Sequence, residues 1–112
     1  MRVRAISKNT GLSPRKVRRY VDMVRGRKVD DALVLLAFAP SPVARQVAKV
    51  VKSAVANAEN TFQMEPAELK IVAIYADEAP TVKRFRARAR GRAAPILKRS
   101  SHITVVVAGQ ED

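Results

Sequence analysis

Between Thr81 and Arg99 the chain reads TVKRFRARARGRAAPILKR, with arginine at positions 86, 88, 90 and 92. On an α-helix a period of two scatters side chains over opposite faces, whereas on an extended chain it lines them along one side. The segment is therefore expected to be extended. Opposite the arginines stand Phe85, Ala87, Ala89 and Gly91, too small together to bury the apolar surface that would order the segment from within. With Gly91 to Pro95 as its turn, a hairpin here has arms of about ten residues, which at ~3.3 Å per residue reach roughly 33 Å. The body of a domain this size has a radius of gyration of only ~13 Å. The hairpin is expected to project past the body, to be mobile in the free protein and to be ordered by a partner, because an isolated two-stranded ribbon is marginal in water.

The partner's sign follows from the charge. The 112 residues carry 22 Lys plus Arg against 10 Asp plus Glu, a net +12 with a pI near 11.1, which points to a polyanion. The cations are segregated: Met1 to Lys28 holds ten with one acid, Lys83 to Gln110 holds eight with none, and Val29 to Val82 holds four against seven acids. Two basic blocks flank a nearly neutral body, with no Gly/Ser linker or repeat between them, so one fold must present both. The chain is expected to be a single domain over 1–112, with 81–101 as a protruding basic hairpin within it.

The body reads as α+β: three helices packed on a small three-stranded antiparallel sheet that carries the long basic hairpin. Aromatics are 4% of residues and Trp is absent, so the core must be built from Val, Ala, Ile and Leu. Met1 to Lys8 alternates Arg2 and Arg4 with Val3 and Ala5, a strand with one charged face. Ser13-Pro14 is a cap-plus-proline helix start, after which Val17, Tyr20, Val21 and Val24 follow helical spacing. Arg15, Lys16, Arg18, Arg19 and Arg25 are left on or near the outer face, and Gly26 terminates the helix. Asp30 is read as the cap of a short second helix through Ala32, Leu33, Leu36 and Phe38, apolar around most of its circumference and hence expected to be buried; Pro40 ends it. Ser41-Pro42 opens a third, with Val43, Val47, Val50, Val51, Ala54, Val55 and Ala58 on one stripe and Arg45, Lys49 and Lys52 on another. LKIVAIYA (Leu69 to Ala76) and SHITVVVA (Ser101 to Ala108) supply the remaining strands.

Several function classes drop out. Without Cys there is no disulfide framework, thiolate nucleophile or zinc-finger ligand set, and the one histidine, His102, makes no metal site alone. His102 is assigned to an RNA contact or a turn hydrogen bond. Asp77-Glu78 reads as a polar strand end instead of a metal pair, because a nuclease site needs several converging carboxylates. Asp30-Asp31 reads as a helix start favoured by the macrodipole. No P-loop, GxGxxG or HExxH is present, no residues line a cofactor pocket, and no cofactor is expected. The hairpin lacks the Trp, Leu and Phe face that membrane insertion needs, and Met1 to Ser7 is neither a signal peptide nor a span, so the expected location is the cytoplasm.

Within nucleic-acid binding, Arg outnumbers Lys fourteen to eight, which suits bidentate phosphate contacts and stacking on bases in a fixed assembly. The rival is a free DNA-binding or RNA-chaperone module using the first helix. Its exposed face shows almost only Arg and Lys, not the polar side chains that read a duplex.

Three stretches carry a resemblance over nearly the whole length: SPRKVRRYVDMVRGRKVDDAL, VAKVVKSAVANAEN, and KRFRARARGRAAPILKRSSHITVVV, the last with Gly91-Arg92 followed by His102-Ile103, Val105 and Val107. Through them the chain resembles the large-subunit ribosomal proteins of the L twenty-two family. The resemblance implies a structural constituent of the large ribosomal subunit that binds its ribosomal RNA, contacts neighbouring large-subunit ribosomal proteins and assists assembly. It also implies a hairpin that threads between RNA domains to the wall of the polypeptide exit tunnel. On this reading Gly91, Arg92, Ala93 and Ala94 form the tunnel-facing tip, past which a nascent polypeptide runs near a constriction shared with ribosomal protein L four. Many members carry proline where this chain has Ala87. The RNA-binding set is Arg4, Lys8, Arg15, Lys16, Arg18, Arg19, Arg25, Arg27, Lys28, Lys83, Arg84, Arg86, Arg88, Arg90, Arg92, Lys98, Arg99, Ser101 and His102.

Overall fold

The computed structural model describes residues 2–87 and 93–109, with side chains between 81 and 98 left aside. Strand β1 (Arg2–Ser7) leads to helices α1 (Pro14–Val24), α2 (Val29–Phe38) and α3 (Pro42–Phe62). A 3-10 turn at Pro66–Glu68 follows, then the long strands β2 (Lys70–Ala87) and β3 (Ala93–Ala108). The sheet order is β1-β3-β2, antiparallel throughout. The α+β class and its three-on-three architecture are as expected from the sequence.

The alternation in β1 becomes a two-faced strand, with Val3 and Ala5 buried and Arg2 and Arg4 exposed. The register sets Val3 beside Val107 and Ala5 beside Val105, and across β3 come Ile71, Ile74 and Ala76. These residues form the face on which the helices lie, α3 over β1 and β3, α1 over β2 and β3. α2 packs on α3 outside that layer. The core is the predicted small-aliphatic one: its largest fully buried side chains are Leu36, Leu69, Ile71, Ile74 and Ile103. Phe38, Phe62 and Tyr75 are exposed, so burial of branched aliphatics, about 1.5–3 kcal/mol each, carries the hydrophobic term.

The helix starts follow their proline signals. Ser41 caps α3, its Oγ accepting from the Val43 N–H at 3.2 Å. Ser13 occupies the N-cap of α1, but its side chain makes no capping bond; its carbonyl accepts from Lys16 and Val17. Gly26, at φ +80°, takes the left-handed position that ends α1.

Four expectations need correction. α2 is capped by Lys28, not Asp30: Val29 is already helical and buried, its N–H donating to the Leu69 carbonyl, which moves Asp30 and Asp31 into the first turn. Nor is α2 buried all round, because it has helices on one side only; Val34 is 55% and Phe38 83% exposed. Asp77 and Glu78 do not end a strand but continue β2, opposite His102 and Ser101. The ladder runs on to Ala87↔Ala93, so Ala93, Ala94 and Pro95 are strand residues and not part of the turn expected over Gly91 to Pro95, whose first two residues lie outside the described residues. A ribbon with both edges open tolerates Pro95, whose missing N–H breaks no ladder bond when it points outward.

The hairpin is thus the direct continuation of β2 and β3 beyond the body. The departure point is marked by an irregularity between Ala79 and Val82: Pro80 and Thr81 stand opposite Arg99 alone, the two-against-one count of a bulge that bends and twists the ribbon. The overall extents of 64 × 26 × 18 Å and a radius of gyration of 17.1 Å describe an elongated molecule.

Candidate nucleic-acid interface

The two basic blocks lie at opposite ends of the sequence, and the structure joins them through a clasp. The loop after β1 turns at Asn9 and Gly11, both at positive φ, and docks on the stretch of β3 where the ribbon leaves the body. Thr10 donates its N–H to the Ser101 carbonyl (3.0 Å), and its Oγ1 lies 2.9 Å from Ser101 Oγ. The Gly11 N–H donates to Ser100 Oγ (2.9 Å), and the Asn9 N–H to His102 Nδ1 (3.1 Å). Ser101 is fully buried, so its hydroxyl belongs to this clasp, and His102, half-buried, makes the turn hydrogen bond.

Around the clasp the cations of both blocks face outward. Lys8 and the Arg15 and Lys16 side chains are exposed on the block-one side, and exposed Arg99 stands on the other. Arg15 and Lys16 sit in the first turn of α1, which contains no acid. Cations are disfavoured at that end of the helix dipole, so an external anion relieves the arrangement. Arg19, Lys28 and, on β1, Arg4 are exposed as well. Among the described residues one ion pair forms, Arg25–Asp22 at 2.8 Å, and both partners are well exposed, so among those residues little of the basic charge is neutralised from within.

Three arginines of the predicted set have a second attachment. Arg18 donates Nε and Nη2 to the Ala76 carbonyl (3.3 and 3.1 Å), and Arg25 donates Nη2 to the Ile74 carbonyl (3.0 Å). Arg27 donates Nε to Met23 (3.0 Å). β2 is an outer strand, and α1 thus covers its open carbonyls. Farther back along the same edge, Val29 donates to Leu69 and Ile71 to Arg27. These roles were invisible in the sequence, where the three arginines look like any other surface cations.

Lys83, Arg84, Arg86 and Lys98 occupy the ribbon strands, Arg84 opposite Ile96, Arg86 opposite Ala94, and Lys83 opposite Leu97. Arg88, Arg90, Gly91 and Arg92 lie outside the described residues. Of the proposed tip, Ala93 and Ala94 are the first residues of β3, opposite Ala87 and Arg86. The clasp residues Asn9, Thr10, Gly11 and Ser100 were not singled out from the sequence; the one local signal was an Asn-Thr-Gly turn composition. Among the described residues no group of three or more His, Asp or Glu side chains could hold a metal ion, and no helix is long and apolar enough to cross a membrane.

Comparison with known proteins agrees with this geometry. The family model described as ribosomal protein L22p/L17e matches residues 5–108. A large ribosomal subunit protein uL22 of Dehalococcoides mccartyi is 66% identical over 108 residues, covering 96% of this chain and 99% of the relative. The protein of the same name from Clostridium novyi (strain NT) is 51% identical over 107 residues, 96% of each chain. With a match that takes in the buried core, the clasp and both basic blocks, the chain belongs to the ribosomal protein L22p/L17e family.

Proposed function

We propose that this chain is a non-catalytic structural constituent of the large ribosomal subunit in the cytoplasm. Residues 1–112 act as a single domain that binds large-subunit ribosomal RNA through the surface joining α1 to the root of the ribbon, and the chain assists subunit assembly. The ribbon, 81–101, extends to the wall of the polypeptide exit tunnel, with Gly91, Arg92, Ala93 and Ala94 at the tip beside the nascent polypeptide. The observation that supports this reading is the clasp, which hydrogen-bonds the loop of the first basic block to the β3 stretch where the second basic block joins the body.

The chemistry is charge neutralisation with shape. Each phosphate met by Lys or Arg releases condensed counterions, giving affinity without base reading. Arginine adds a planar fork for bidentate contacts. Small residues at the tip leave room for a passing chain, while the flanking cations fix the ribbon between RNA segments. The names of the relatives support the assignment to the large subunit.

The test is sedimentation of cell extract through sucrose gradients at low salt and at about 1 M salt, where purely electrostatic binding collapses. Co-migration with the large subunit at one copy per particle, retained at high salt, is the expected result. Recovery at the top of the gradient, or release at modest salt, would leave a loosely bound basic accessory protein. The tunnel placement is tested with a photoreactive residue at Ala93 in ribosomes stalled on a nascent chain: an adduct to that chain is expected, and an adduct to RNA alone removes the tip from the tunnel wall.

A further inference from the structure

α2 has an unusual composition for a helix with one open side. Its sequence, VDDALVLLAF, holds no cation, and its only charges are Asp30 and Asp31 in the first turn. Val29, Ala32 and Leu36 face the core, yet Val34 and Phe38, four residues apart on the opposite side, are 55% and 83% exposed. A helix apolar all round is normally buried. Between these two sides α2 and α3 form a groove of about 300 Å³, floored by Leu33, Leu36, Ala37 and Ala48. Arg45, Lys49 and Lys52 rim it from α3 at i, i+4 and i+7. Among the described residues none of these three cations has an acidic partner.

We propose that this groove and the outer face of α2 form a protein-docking surface, occupied in the assembled subunit by an apolar segment of a neighbouring protein that carries acidic residues. The inference rests on the ribosomal role proposed above. RNA fits the rim but not the rest: a phosphate laid across Val34 and Phe38 would lose water and meet no cation on α2, next to two carboxylates. An apolar side chain covering Phe38 loses nothing polar, and acids beside it meet Arg45, Lys49 and Lys52. Charge complementarity therefore selects protein for this face, whereas the clasp side of the molecule selects RNA.

The test uses full-length protein with p-benzoylphenylalanine in place of Phe38, assembled into large subunits, purified and irradiated. The expected product is an adduct with one protein, unchanged in size by ribonuclease, its attachment site mapping to an apolar, acid-containing segment. The double variant Lys49→Glu, Lys52→Glu in the same background is expected to lower the adduct yield by more than about fivefold. An adduct shortened by ribonuclease assigns the face to RNA and overturns the proposal, as does absence of any adduct both here and with the probe at Val34. A yield indifferent to charge reversal overturns the acidic character of the partner. Co-sedimentation of the probe-bearing chain reports particle association separately, so a failure of the ribosomal reading is distinguished from a failure of this one.

Discussion

Arg18 and Arg19 are adjacent on α1, both exposed, with the same charge; only the first is tied to the protein, through two N–H groups on the Ala76 carbonyl. That carbonyl lies on the outer edge of β2, and without Arg18 its partner would be water. Arg18→Met is expected to destabilise the free protein by about 1 kcal/mol, the net worth of such a bond at a partly exposed site. Arg19→Met is expected to stay within about 0.5 kcal/mol, as surface changes do. Urea denaturation followed by circular dichroism measures both, and equal midpoints for the two variants would remove Arg18 from the edge-covering role. The comparison isolates position from charge, because each variant loses one cation.

At the scale of elements, α3 ends on Gln63 in the left-handed conformation, φ 55° and ψ 35°, with the following Met64 N–H reaching back to the Ala58 carbonyl. A side chain is strained there and glycine is not, so Gln63→Gly is expected to raise stability by about 0.5–1 kcal/mol, read as a higher urea midpoint. A lower midpoint would mean that Gln63 holds contacts worth more than the strain. The ribbon is the second element with a clear expectation. β1 pairs with β3 only from Ile103 to Ala108, so beyond the bulge β2 is the only strand paired with β3 among the described residues. In hydrogen exchange of the free protein, backbone amides of 82–87 and 93–98 are expected to exchange far faster than those of 103–107, and to become protected in the subunit. Uniform slow exchange would show a ribbon stable on its own. The sequence made much of this legible: β1, α1 and α3 each carry their own periodicity and start signals, and the extended reading holds for 81–87 and 93–99, while Arg88, Arg90 and Arg92 of the alternating set lie outside the described residues. The open face of α2 was not legible, because Val34 and Phe38 read as core until the neighbours of the helix are known. The bulge at Pro80 and Thr81 and the arginine bonds to Ile74 and Ala76 depend on partners far along the chain, so no local pattern announces them. The same holds for the clasp, whose residues are 91 positions apart at Thr10 and Ser101.

Over the whole molecule, the proposed RNA binding makes a specific demand on the clasp, which holds the two basic blocks together. Each alone would bind phosphate with an affinity set by the number of contacts; held together, the second block binds at an effective concentration fixed by the geometry of the first. Thr10→Val is nearly isosteric and uncharged, yet it removes the Oγ1 contacts to Ser101 and to the Leu12 N–H and leaves the buried Ser101 hydroxyl without that partner. It is expected to cost about 1–2 kcal/mol of stability. For a large-subunit RNA fragment that spans both contacts, affinity is expected to fall roughly threefold to tenfold, with the slope of log K against log salt unchanged, because no phosphate contact is deleted. Neutralising Arg15, Lys16 and Arg99 to Gln must do something different: each lost phosphate contact reduces the slope by about 0.7–0.9. A salt titration of the two variants separates organisation from charge. If Thr10→Val leaves affinity intact, the blocks bind independently and the clasp serves stability alone. If it weakens binding at constant slope, the fold contributes to RNA recognition by holding one end of the sequence against the other.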